Sequence, residues 1–205
     1  MKATFYFDLV CPYSYLLMPE IERAEDGGVE VEWLPFELRP APDPLPDPRG
    51  RYIRDHWRNH VYRLALDYGT EIHVPVHQPR STLALSLALP AEDKGCGRQY
   101  REAGHRAFFI EGRDLSDENV LRGLAEEAGL EPDDALAAAW DPENLRRLRT
   151  IRSEAADAGV QGVPALVADG ELVLFGAPSP RLVRYAVDTA AGDAAKLVRL
   201  LRAGA

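Results

Sequence analysis

The period of the apolar positions changes several times along the chain, and the changes mark out its elements. Residues 3–7 (Ala-Thr-Phe-Tyr-Phe) form a run of β-formers closed by Asp8, which predicts a short buried strand. Pro12 suits the first turn of a helix, where its missing N–H would have no partner in any case. Leu16, Leu17 and Ile21 continue that helix, and Gly27-Gly28 ends it. From Val29 to Phe36, Val29, Val31 and Trp33 alternate with Glu30, Glu32 and Leu34, the pattern of a second strand. Strand, helix and strand at this spacing predict a βαβ unit with parallel strands.

Leu38 to Gly50 holds Pro40, Pro42, Pro44, Pro46 and Pro48, which rules out regular structure and predicts a stiff connector. Helical patterns follow at 52–68, 81–89, 98–110, 116–128, 133–140 and 143–158. The 116–128 segment is the best marked, with Ser116 as expected N-cap, Asp117 and Glu118 in the first turn, and Gly129 at the end. Strand character returns at 165–168 and 172–175 around Asp169-Gly170, a strong hairpin signal. Helices are expected at 180–189 and 193–202. The order βαβ, helical block, ββα predicts an α/β core built from residues 1–40 and 155–205, with a helical insertion over 41–154.

Composition narrows the function classes. The chain has 205 residues, 46% hydrophobic and 28% charged, as in ordinary globular proteins. A formal net charge of -9 repels phosphate backbones, so nucleic acid is not an expected partner. No apolar run approaches the length of a membrane span, and no membrane partner is expected. The first residues, Met-Lys-Ala-Thr-Phe-Tyr-Phe-Asp, lack the pattern of a secretory signal. The two cysteines, Cys11 and Cys96, are too few for a disulfide scaffold, and the expected compartment is the cytoplasm. No Cys/His spacing suggests a structural metal site, and no metal is expected.

Cys11 carries the strongest chemical signal. It lies at the end of a predicted strand and the start of a predicted helix, where unpaired amides and peptide dipoles favour a thiolate. The alternative is a small buried apolar cysteine. Val163-Pro164, ahead of the third strand, is a candidate cis peptide at a tight strand entry. Other positions carry a plainer reading beside the chemical one. Cys96, in a Gly-Cys-Gly turn, is either a resolving thiol or an unpaired surface cysteine. His56 and His60 share a helix face but lack the glutamate of a zinc-protease motif. Arg80 and Ser81, before a helix, either face a substrate anion or lie in a solvated loop. His105 reads as a satisfied structural histidine, and Trp33, Phe36, Trp57 and Trp140 as packing residues. Tyr13 is expected beside the thiol.

Phe5-Tyr6-Phe7-Asp8, Cys11-Pro12-Tyr13-Ser14-Tyr15-Leu16, Pro35-Phe36-Glu37-Leu38-Arg39-Pro40 and Gly162-Val163-Pro164 together resemble the DsbA-like branch of the thioredoxin superfamily. Within it the resemblance is to FrnE-type oxidoreductases, 2-hydroxychromene-2-carboxylate isomerases and kappa-class glutathione transferases. It implies an α/β thioredoxin-like fold with an inserted α-helical domain. It also implies that Cys11 is the attacking cysteine, or takes the place of the thiol-activating serine of the isomerases and transferases. Ser14 stands where an oxidoreductase carries its second cysteine, and it is expected to donate a hydrogen bond to the Cys11 thiolate. Pro164 matches the cis-proline, and Val163 is expected to offer its backbone to an extended thiol substrate. Pro12 and Tyr13 complete the implied substrate contacts. The Ser-Asp pair with which the transferases grip glutathione is absent after the last strand, where this chain reads Phe175-Gly176-Ala177-Pro178-Ser179-Pro180.

The implied activity is single-thiol disulfide exchange on a small-molecule or protein substrate, because Ser14 closes off a local disulfide. No tightly bound cofactor is expected, and glutathione or another low-molecular-weight thiol is the implied co-substrate. A glutathione-dependent isomerase or transferase and a redox-inactive binding module remain open alternatives. So does the choice between monomer and homodimer.

Overall fold

The computed structural model describes residues 3–204. A four-stranded sheet has the order β2-β1-β3-β4, formed by β1 (Ala3–Phe7), β2 (Val31–Pro35), β3 (Ala165–Ala168) and β4 (Glu171–Phe175). β1 runs parallel to β2 and antiparallel to β3, and β3 is antiparallel to β4. The connection from β1 to β2 is α1 (Pro12–Asp26), as the βαβ pattern predicts. The α/β thioredoxin-like architecture expected from the sequence is the one observed.

The strand period of two decides what each face carries. Ala3, Phe5 and Phe7 of β1 join Trp33, Leu166 and Ala168 in the larger apolar core. Tyr6, Ala165 and Val167 face the other way, into a smaller cluster with Cys11, Phe36, Ala155 and Val163. The β3–β4 turn places both Asp169 (φ 51°) and Gly170 (φ 77°) in the left-handed region, the geometry a two-residue hairpin requires.

The helical block consists of α2 (Arg51–His56), a π-helical turn at Trp57–Val61, α3 (Tyr62–Tyr68), α4 (Thr82–Asp93), α5 (Gly97–Phe109), α6 (Glu118–Glu127), α7 (Pro132–Trp140) and α8 (Pro142–Asp157). After β4 come α9 (Pro180–Ala190) and α10 (Ala194–Ala203). The larger core runs without a break from β1 and α1 into α4, α5, α6 and α7. A buried cation reinforces that join. Arg101 of α5 lies 3.9 Å from the centroid of the Trp33 ring, pairs with Glu92, and has Glu22 of α1 at 3.8 Å.

Several boundaries differ from the sequence pattern for local reasons. Val29 is not in β2, because its N–H closes the turn after α1 by donating to the Ala24 carbonyl. The 52–68 segment is helical but widened by the π turn. α4 passes through Pro90 rather than stopping at Leu89. The cap of α6 is Asp117, whose carboxylate accepts from Asn119 N–H, while Ser116 turns back to Asp114. Trp140 is 53% exposed, with its indole N–H on Glu118, so it is not a packing residue.

Candidate active site

Cys11 caps α1. Its backbone is extended (φ -92°, ψ 115°), its carbonyl accepts from Tyr15 N–H, and Pro12 opens the first turn. This is the sequence order strand, cysteine, proline, helix realised in space. The thiol donates at 3.3 Å to the Val163 carbonyl, which belongs to the Val163–Pro164 peptide bond, and that bond is cis. The chain thus brings Cys11, Pro12, Tyr13 and Val163 to one cavity of about 470 Å³. Pro164 is buried, and its carbonyl accepts from Gly176 N–H.

The electrostatics of Cys11 differ from the sequence expectation. The Ser14 and Tyr13 amides and the Ser14 hydroxyl hydrogen-bond to the sulfur and favour its anion, as a helix start should. Burial outweighs them. Cys11 is 2% exposed, and loss of solvent, with a smaller push from Asp8, raises its pKa from 9.0 to about 11. At neutral pH the resting group is a thiol, which is why it can donate to Val163 at all. The Val163 carbonyl, expected to be offered to substrate, is occupied by Cys11 in the resting site. Ser14 is fully buried and also accepts from the Asp8 N–H at 3.4 Å.

Asp8 is a site residue that the sequence presents only as a strand boundary. Its carboxylate is buried and accepts from Val10 N–H (3.2 Å), Leu38 N–H (2.8 Å) and Ser81 Oγ (3.0 Å). It therefore ties the end of β1 to the proline-dense connector and to the start of α4. Burial raises its pKa to about 6 against the pull of those hydrogen bonds. Ser81 is committed to this contact. Arg80 does not face a substrate anion, since its guanidinium donates to the Arg39 and Asp43 carbonyls and braces the connector.

The cavity walls come from segments far apart in sequence. Leu38, Arg39 and Pro46 of the connector, Tyr52, Ile53 and His56 of α2, Pro75 and Gln78 of the next loop, and Phe175 at the end of β4 line the cavity with Cys11. Tyr13 and His56 meet at 2.9 Å between hydroxyl and Nε2. His56 stacks on Tyr52, and His60 lies 5.2 Å away, ring to ring. The described residues contain no group of three or more His, Cys, Asp or Glu able to hold a metal. Cys96 is not a wall residue; it caps α5, with its thiol donating to the Ala91 carbonyl. His105 is only half satisfied: Nε2 lies 3.4 Å from the Asp8 carbonyl, and Nδ1 has no partner among the described residues.

A cysteine at a helix start beside a cis-proline strand, with helices inserted between the halves of the sheet, defines a thiol protein of the thioredoxin class. The DSBA-like thioredoxin domain family model matches residues 3–188, and the chain belongs to that family. It is 31% identical over 194 residues to the uncharacterized protein YwbO of Bacillus subtilis, covering 89% of this chain and 93% of that one. It is 26% identical over 174 residues to the 2-hydroxychromene-2-carboxylate isomerase of Sphingobium xenophagum, covering 82% and 89%. Its fold is similar to that of a probable DsbA oxidoreductase from Streptomyces coelicolor, with a TM-score of 0.75, 24% identity, and 94% and 91% of the two chains covered. No helix among the described residues is long and apolar enough to cross a membrane.

Proposed function

We propose that this protein is a cytoplasmic thiol–disulfide oxidoreductase that works through Cys11 alone. The observation that carries the reading is the Cys11 thiol, held at the start of α1 and hydrogen-bonded to Val163 on the floor of a cavity. The Cys11 sulfur attacks one sulfur of a substrate disulfide. The substrate S–S bond breaks, a mixed disulfide forms on Cys11, and the other sulfur leaves as a thiol carrying the proton that Cys11 gave up. A low-molecular-weight thiol such as glutathione then attacks the substrate sulfur of the mixed disulfide; its S–S bond to Cys11 breaks, a glutathione–substrate disulfide forms and departs, and Cys11 takes up the proton and is a thiol again. Ser14 cannot compete as a resolving sulfur, and its hydroxyl supports the anion as it forms. Two unpaired cysteines suit a reducing compartment. Tyr13 and Pro12 shape the entry, and Val163 recovers a free carbonyl once Cys11 is modified.

A second reading is favoured by one feature. A thiol pushed up to about 11 in a largely apolar cavity suits a binding surface for a small thiol adduct as well as a nucleophile. This is the isomerase or transferase reading, in which Cys11 or Ser14 holds the thiol of glutathione. The test is turnover of hydroxyethyl disulfide with glutathione, compared with chromene isomerisation, in the wild-type, Cys11→Ser and Cys96→Ser proteins. Disulfide turnover lost only in Cys11→Ser supports the oxidoreductase. Isomerisation without disulfide turnover assigns the second reading, and neither activity leaves a binding module.

A further inference from the structure

Arg39 stands apart from the other arginines of this chain. Among the described residues, every other buried or half-buried arginine donates to a carboxylate or a carbonyl, or lies within ion-pair distance of a carboxylate. The arginines that lack such a partner, such as Arg54, Arg58 and Arg63, are exposed. Arg39 is half-buried, and among the described residues no hydrogen bond or ion pair involves its guanidinium. A cation partly withdrawn from water without a counter-charge is unfavourable unless a ligand supplies one.

Its surroundings are pinned. Leu38 N–H is held by Asp8 and the Arg39 carbonyl by Arg80, so the backbone on both sides of the guanidinium is tied down while the side chain is free. Arg39 also lines the cavity that has Cys11 on its floor. The rest of that wall is mainly apolar, and Gln78 and the Tyr13–His56 pair supply neutral polar groups.

We propose that Arg39 is the anion anchor of the Cys11 cavity, and that the ligand is a small organic disulfide or thiol with an apolar body and a single carboxylate. The substrate class rests on the oxidoreductase reading above; the anchor does not. A guanidinium fork matches a carboxylate with two parallel hydrogen bonds. The apolar wall takes the body of the ligand.

The test uses the Cys96→Ala protein, so that Cys11 is the one reacting thiol. Its rate with dithiobis(nitrobenzoate), an aromatic disulfide with a carboxylate on each ring, is compared with its rate with neutral dithiodipyridine. In each reaction the reagent S–S bond breaks, a Cys11 mixed disulfide forms, and an aromatic thiol leaves. The Arg39→Gln variant is expected to lower the ratio of the two rates at least ~10-fold, and Arg39→Lys to restore part of it. Equilibrium binding of nitrobenzoate, which has no sulfur, reads the anchor without the thiol. It is expected to weaken by a similar factor in Arg39→Gln, with an unchanged melting transition. A rate ratio and nitrobenzoate affinity that both survive Arg39→Gln overturn the anchor. Nitrobenzoate binding that depends on Arg39, with Cys11 inert to both disulfides, keeps the anchor and overturns the oxidoreductase reading.

Discussion

The Tyr13 hydroxyl and His56 Nε2 lie 2.9 Å apart and join the turn that carries Cys11 to the helix that roofs the cavity. Burial first, and then the neighbouring His60, lower the His56 pKa below 6.5. A histidine depressed in the folded state adds stability above its unfolded pKa and loses it as pH falls through the folded value. His60→Ala is expected to move the His56 titration, followed by NMR, upward toward 6.5. Tyr13→Phe is expected to cost about 1 kcal/mol or less in urea denaturation while lowering disulfide turnover.

Cys11 gives the second prediction. Its raised pKa means the folded state holds the thiol proton more tightly than the unfolded chain does. Stability from this group is complete below 9.0 and is lost as pH rises toward about 11. Iodoacetamide alkylation of Cys11 in a Cys96→Ala background is therefore expected to be slow at neutral pH, with its midpoint near 11. A midpoint well below 9 would show that the helix start outweighs burial.

Asp8 gives the third. Its pKa, raised from 3.8 to about 6, favours the protonated carboxyl in the folded state. Its contribution to stability is present below 3.8 and falls away as pH rises through 6, by about 3 kcal/mol at one pKa unit per 1.36 kcal/mol. Asp8→Asn is expected to remove that slope from urea denaturation measured between pH 4 and 7. It is also expected to lower turnover, because an amide cannot accept from the Val10, Leu38 and Ser81 donors together.

Arg101 gives the fourth. Arg101→Ala strands Glu22 and Glu92 and removes the cation from the Trp33 face. A loss of about 3–5 kcal/mol in unfolding free energy is expected. Adding Glu92→Gln should recover part of it, since one of the uncompensated charges is then gone.

The elements that set the fold were readable because each carries its own local signal. The five β-formers at 3–7, Pro12 after Cys11, and Asp169-Gly170 between apolar runs need no distant partner to be recognised. The protonation state of Cys11 was not readable. A helix start is visible in six residues, but Cys11 is buried in a cluster with Phe36, Ala155, Val163 and Val167, which only the fold collects. Asp8 was missed for the same reason: an aspartate after a strand resembles a boundary until Leu38 and Ser81 arrive on it. A faint signal existed, since an acid three residues before a reactive cysteine is a candidate to influence it. The bracing role of Arg80 is not legible in the sequence, because its carbonyl partners Arg39 and Asp43 lie in the proline-rich connector, where sequence offers no register.

The π-helical turn at Trp57–Val61 holds one residue more per turn than an α-helix would, immediately after Tyr52, Ile53 and His56 enter the roof. Removing one residue there would tighten the coil and swing the preceding side chains about 100° around the axis relative to α3. Tyr52, Ile53 and His56 would then point elsewhere while the walls contributed by other elements stayed in place. Chain length at this single turn is thus a dial on what the sulfur can meet, separate from the chemistry of any residue facing it.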